Sequence, residues 1–172
     1  MEDDGLGSFG YYILATLNFS ATISSFVSSA TIKKMGLYTS FFVASLCHFA
    51  SCLAQILPAY RLNYPGGNEF FESTITIEVT LLLAAVINGF GVGVIQTAIG
   101  IYIAECATPS TKGFYYGLFW FFYMMSMTVG SLIGAFVLTE GVNETFFYIV
   151  LASMALVASI SFLFLRKPIP HK

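Results

Sequence analysis

Side chains able to do chemistry are scarce in this sequence of 172 residues. Its apolar runs enclose five notable polar groups, Asn18, His48, Gln55, Asn88 and Gln96, none permanently charged. Acid–base or nucleophilic catalysis needs a Ser/His/Asp arrangement, a metal-ligand spacing or paired carboxylates, and the sequence displays none of these. His48 alone could titrate, and a single imidazole within an apolar helix reads as a hydrogen-bonded packing group. Cys47, Cys52 and Cys106 make neither a CxxC pair nor an even framework, so they read as small buried hydrophobes. Gly89-Phe90-Gly91-Val92-Gly93 has the glycine content of a dinucleotide loop but lacks a preceding strand and a downstream acidic partner. The chain is therefore expected to be no enzyme, with no catalytic residue, no cofactor and no metal.

The elements that carry these residues follow from the solvent the chain demands. Apolar residues make up 57% and charged residues 9%, and the mean hydropathy is +0.81. A soluble domain carries roughly a quarter charged residues to keep its surface in water, so hydrocarbon is the natural surrounding here. Gaps between charges isolate five apolar segments, each long enough to cross about 30 Å at about 1.5 Å per residue. Lipid offers backbone groups no partners, so each segment must be a helix; runs such as LLLAAVI do not alternate as barrel strands would. The expected spans are 8–32, 36–59, 78–104, 113–138 and 145–165. They form one all-α membrane domain over 1–172. The acidic opening MEDDGLG lacks the basic region of a signal peptide, so the first span should stay in the mature chain.

Charge divides between the connections. Lys33, Lys34, Lys112, Arg166, Lys167 and Lys172 fall after the first, third and fifth helices, whereas Arg61 is the one basic residue on the opposite side. By the positive-inside rule the N-terminus lies outside and the C-terminus in the cytoplasm, in a plasma membrane or endomembrane. No basic stripe exists to bind nucleic acid. NYPGGN reads as a turn in the one long connection. The sequon Asn143-Glu144-Thr145 sits outside, close against the membrane, and Asn18-Phe19-Ser20 lies within it.

Small residues recur every fourth position: Ser20, Ser24 and Ser28, then Gly89 and Gly93, then Ser126, Gly130 and Gly134. In lipid such faces let helix backbones approach closely, in static packing or at moving interfaces. The densest local pattern runs from Ile101 to Met125. Glu105 ends one helix, Lys112-Gly113 opens the next, and the two charges could latch the turn between them. Thr108 or Ser110 could cap the incoming helix, ahead of an aromatic belt of Phe114, Tyr115, Tyr116, Phe119 and Trp120.

Gly100-Ile101-Tyr102, Glu105-Cys106-Ala107-Thr108, Lys112-Gly113 and Tyr116-Gly117-Leu118-Phe119-Trp120 together resemble the uncoordinated ninety-three family of ion-channel regulatory proteins, a branch of the major facilitator superfamily. Asp4-Gly5-Leu6-Gly7 and Ile32-Lys33-Lys34-Met35-Gly36 agree with the same family, and the likeness spans most of positions 4 to 140. The sequence departs from that pattern where Ile99 precedes Gly100, where the family has glutamine, and where Ser131 follows Gly130, where it has asparagine. The resemblance implies helices two to six of a facilitator half. It also implies an accessory or regulatory subunit whose partners are the bilayer and other membrane helices, such as a channel subunit. A partial facilitator-type transporter of a small solute and an incomplete fragment without independent activity are the other readings.

Overall fold

The computed structural model describes residues 8–63, 73–139 and 143–165, and these are helical apart from short joints. The helices are α1 (Phe9–Met35), α2 (Leu37–Ala54), α3 (Ile56–Asn63), α4 (Thr74–Cys106), α5 (Lys112–Thr139) and α6 (Glu144–Ser161), followed by a 3₁₀ turn, Phe162–Phe164. Taking α2 with α3, five spans are long and apolar enough to cross a membrane. Residues 64–68 of the NYPGGN turn, the acidic residues 2–4, 69, 72 and 140, and the basic residues 166, 167 and 172 lie outside the described residues.

Two differences from the expected spans have local causes. The second span is broken at Gln55. Pro58 lacks an N–H, and its ring crowds the carbonyl four residues back, that of Ala54. The helix therefore stops and restarts in line. The third span begins at Thr74, taking Glu78 into its second turn. Ser73 is extended and its carbonyl accepts from Ile77 N at 3.1 Å, starting the helix before the apolar run does.

A single residue joins α1 to α2. Gly36 has φ 84° and ψ 154°, a conformation open only to glycine, and its N–H donates to Ile32 O at 2.8 Å. Lys33 and Lys34 occupy the last turn of α1, where the helix dipole favours cations.

Helix α4 is central. Its largest contact is with α1 and its next largest with α2, while α2 and α3 turn to α6 on the far side. Burial falls mainly on small side chains, Ser24, Ser28, Ser40, Ala44, Ala98 and Ser159 among them. That is the packing expected where lipid removes the hydrophobic drive between helices. At the end of the bundle that bears Lys33, Lys34 and Lys112, here termed the basic end, Phe41 is the anchor. Its ring stacks on Phe162 at 5.2 Å and meets Tyr102 edge-on at 6.1 Å, closing a cluster with Ile32, Val94 and Ala98. The opposite end is closed by Ala54, Ile77, Leu81 and Ala84, with Phe9 and Ile13 against them. Helix α5 stands apart. It touches its chain neighbours α4 and α6 over few residues and has no extended contact with α1, α2 or α3 among the described residues.

Candidate functional site: the small-residue helix seam

The serine face of α1 meets the glycine face of α4. Ser20 Oγ donates to Val86 O at 2.7 Å and Ser24 Oγ to Phe90 O at 2.8 Å. Ser28 Oγ lies 3.3 Å from Gly93 O and 2.7 Å from Ser24 O, and Thr97 Oγ1 reaches Ser28 Oγ at 3.1 Å. Each serine thus points its hydroxyl at a carbonyl of the facing helix. The approach depends on the glycines. A Cβ on Gly89 would fall onto Leu17 O, and one on Gly93 would sit 2.6 Å from Ser24 Oγ and 2.8 Å from Ala21 O.

Gly91 does the same on the other side of α4, where an added Cβ would lie 2.7 Å from Cys47 Cβ and 2.8 Å from Ala44 O of α2. Four-residue spacing did not single it out. The signal was its offset: two residues advance a helix by about 200°, so Gly91 faces away from Gly89 and Gly93. Helix α4 is gripped from both sides at one level.

The third small-residue face finds no such partner among the described residues. A Cβ at Gly113, Gly117, Gly130 or Gly134 would meet nothing within 4 Å, and Ser126 turns its hydroxyl back to Tyr123 O of its own helix. Trp120 is 46% exposed and packs edge-on against Phe119 and Tyr123, again within α5. Across the cleft between α5 and α4, Tyr116 Oη donates to Gly100 O at 2.8 Å.

The turn between α4 and α5 is held by hydroxyls rather than by charge. Thr108 N donates to Thr111 Oγ1 at 3.0 Å, Lys112 N donates to Thr108 O at 3.0 Å, and the Thr108 hydroxyl lies 2.9 Å from that of Thr111 and 3.0 Å from that of Ser110. Thr111, not Thr108 or Ser110, immediately precedes α5. Glu105 is exposed and Lys112 half-buried, and no ion pair joins them among the described residues.

Polar groups at mid-membrane are sparse. His48 of α2 lies beside Asn88 of α4, yet Asn88 Oδ1 is buried with no hydrogen-bond partner among the described residues. Asn18 bonds within its own helix, Nδ2 donating to Leu14 O. At the end opposite the basic one, Arg61 Nη1 donates to Thr74 Oγ1 at 3.0 Å and Asn63 Nδ2 to Thr145 Oγ1 at 3.3 Å. Asn143 caps α6, its Oδ1 accepting from Phe146 N at 3.2 Å. The sequon residues are thus used in starting α6 and tying it to α3. Among the described residues no group of three His, Cys, Asp or Glu is placed to hold a metal ion.

Five apolar spans, one of them the pinned central helix α4, define a multi-pass helical membrane protein. The family model of the Major Facilitator Superfamily matches residues 4–172, and the chain belongs to that superfamily, whose members are transporters rather than enzymes. No curated protein and no solved structure matches the chain.

Proposed function

We propose that this chain supplies five helices, part of one half of a facilitator-type protein, and acts as an accessory or regulatory membrane subunit that docks on further transmembrane helices through α5. One contrast carries the reading: two small-residue faces are consumed in the α1–α4 seam, whereas the same pattern on α5 is bare. Rocking transport needs two bundles moving against each other around a central site, and the seam makes α1, α4 and α2 a single body. The scarcity of ionisable groups within the spans also favours docking over proton- or ion-coupled transport. The resemblance to ion-channel regulators of the uncoordinated ninety-three family supports a channel subunit as the partner. In this reading Lys33, Lys34 and Lys112 face the cytoplasm, consistent with the positive-inside rule.

The test pairs two assays on the complete gene product. Substitution of Gly134 by leucine should abolish co-purification with the partner channel while leaving the isolated chain's stability unchanged, and liposomes holding the chain alone should show no saturable uptake. Substrate-specific uptake by the chain alone would overturn the accessory role. The superfamily match itself favours the second reading, a transporter half that becomes active only when its companion bundle is supplied.

A further inference from the structure

Near the midpoint of the Leu37–Asn63 span, two side chains with metal-binding chemistry stand one helical turn apart. His48 and Cys52 are both half-buried. They occupy positions i and i+4 of α2, so they share a face with Cβ atoms about 5–6 Å apart. Two histidines at this spacing present a pair of zinc ligands on one helix face; here the second ligand is a thiol. Beside His48 lies Asn88 of α4, whose Oδ1 is buried with no hydrogen-bond partner among the described residues. A histidine that ligates a metal donates its other ring N–H to a fixed acceptor, which sets the tautomer and orients the ring. Asn88 Oδ1 is such an acceptor, and it comes from a different helix than the two ligands.

We propose that His48 and Cys52 bind one soft monovalent cation, Cu(I), between them, with Asn88 positioning the imidazole. Ligand type and charge choose the ion. Thiolate favours soft Cu(I) over hard cations. Cu(I), one thiolate and one neutral imidazole carry no net charge together. Zn(II) on the same pair would leave a positive charge in hydrocarbon, where an unpaired charge is costly. Zinc also takes four ligands, and among the described residues no group of three His, Cys, Asp or Glu is placed to supply them. Cu(I) is satisfied by two in a line. Binding exchanges a proton for the metal: the Cys52 S–H bond breaks, its proton passes to water, and the S–Cu and N–Cu bonds form with no change of oxidation state. The site lies on α2 and α4 and does not rest on the docking role of α5.

The full chain in detergent micelles is titrated, without oxygen, against the Cu(I) complex of bicinchoninate. It should withdraw one equivalent of copper, and X-ray absorption should show two-coordinate copper with one sulfur and one nitrogen. Bound Cu(I) should protect Cys52 from alkylation by maleimide while the exposed Cys106 still reacts, a measurement that needs no variant. Cys52→Ser and His48→Gln should each abolish withdrawal, whereas Cys47→Ser and Cys106→Ser should retain it. Asn88→Leu should keep the stoichiometry and weaken affinity about 10–100-fold, as loss of a residue that orients a ligand does. Circular dichroism verifies that each variant is folded.

Failure of the wild-type chain to withdraw copper would overturn the proposal. So would copper retained by Cys52→Ser, copper bound by sulfur alone, or Zn(II) held more tightly than Cu(I). Unchanged affinity in Asn88→Leu would overturn the positioning role of that residue. The docking role of α5 stands or falls separately, on Gly134 and partner capture.

Discussion

Replacing Gly93 with alanine adds one methyl group where α1 and α4 are closest. The new Cβ would lie 2.6 Å from Ser24 Oγ, 2.7 Å from Ser24 Cβ and 2.8 Å from Ala21 O. Ordinary contact begins near 3.4 Å, so the backbones must part by about 0.8 Å to relieve the overlap. The Ala21 carbonyl belongs to a helix backbone and cannot rotate away. Parting the helices lengthens the Ser24–Phe90 and Ser20–Val86 bonds, now 2.8 and 2.7 Å, toward about 3.5 Å, past useful strength. Overpacking costs about 1–3 kcal/mol, and each interhelical hydrogen bond lost within a membrane about 0.6 kcal/mol. The expected destabilisation is about 2–4 kcal/mol. The assay is reversible unfolding in mixed micelles with rising dodecyl sulfate fraction, followed by circular dichroism. Gly134→Ala is the internal reference. With nothing within 4 Å, it gains only helix propensity, up to about 1 kcal/mol. Shrinking Ser24 to glycine in the Gly93→Ala background should recover part of the loss but not all, since Ala21 O remains. If Gly93→Ala and Gly134→Ala unfold at the same detergent fraction, the seam is not packed as described.

Further outcomes follow from single contacts. Tyr116→Phe removes the hydroxyl that reaches Gly100 O; hydrogen exchange in the first half of α5 should rise several-fold while α1 and α4 keep their protection. Asn88→Leu removes a buried carbonyl without a hydrogen-bond partner among the described residues but also strips His48 of its polar neighbour, so the two effects should largely offset; a loss of about 1–3 kcal/mol in the same unfolding assay would show that the His48 contact dominates. Cysteines at positions 33 and 112 should react with an impermeant maleimide from one and the same side of sealed vesicles, and labelling from opposite sides would refute the topology. Pro58→Ala restores the N–H that can reach Ala54 O, and spin labels across the Gln55 joint should report a narrower distance distribution.

The span count was legible because lipid imposes one rule, a helix wherever charge is absent for twenty residues or so. Boundaries were less so. Thr74 and Thr76 look like loop to a reader counting apolar residues, but the helix begins at Thr74 because Arg61 and Ser73 supply local partners. The break at Gln55 could be read from Pro58, four residues beyond the carbonyl it crowds. Of the motif residues, spacing alone puts Gly89 and Gly93 on one face of their helix and Ser20, Ser24 and Ser28 on one face of theirs, and the structure shows that these two faces meet. Gly130 and Gly134 carry the same pattern and lie open, which spacing cannot reveal because it describes a face and not its neighbour. Glu105 and Lys112 read as a latch because opposite charges seven residues apart flank a turn. In the structure neutral hydroxyls of Thr108 and Thr111, closer to the backbone and cheaper to desolvate, hold that turn instead.

The one-residue joint at Gly36 bears on how the chain enters its membrane. Two spans linked so tightly offer no stretch of polar chain to wait in water while the first crosses alone, so they must partition as a hairpin, in one event. The two lysines just before the joint would resist being carried through, which fixes the hairpin's hand from the outset. Any side chain larger than hydrogen at position 36 would force the backbone out of its positive φ. A defect there should therefore appear during synthesis, as spans that fail to insert as a pair, before it appears in the folded protein.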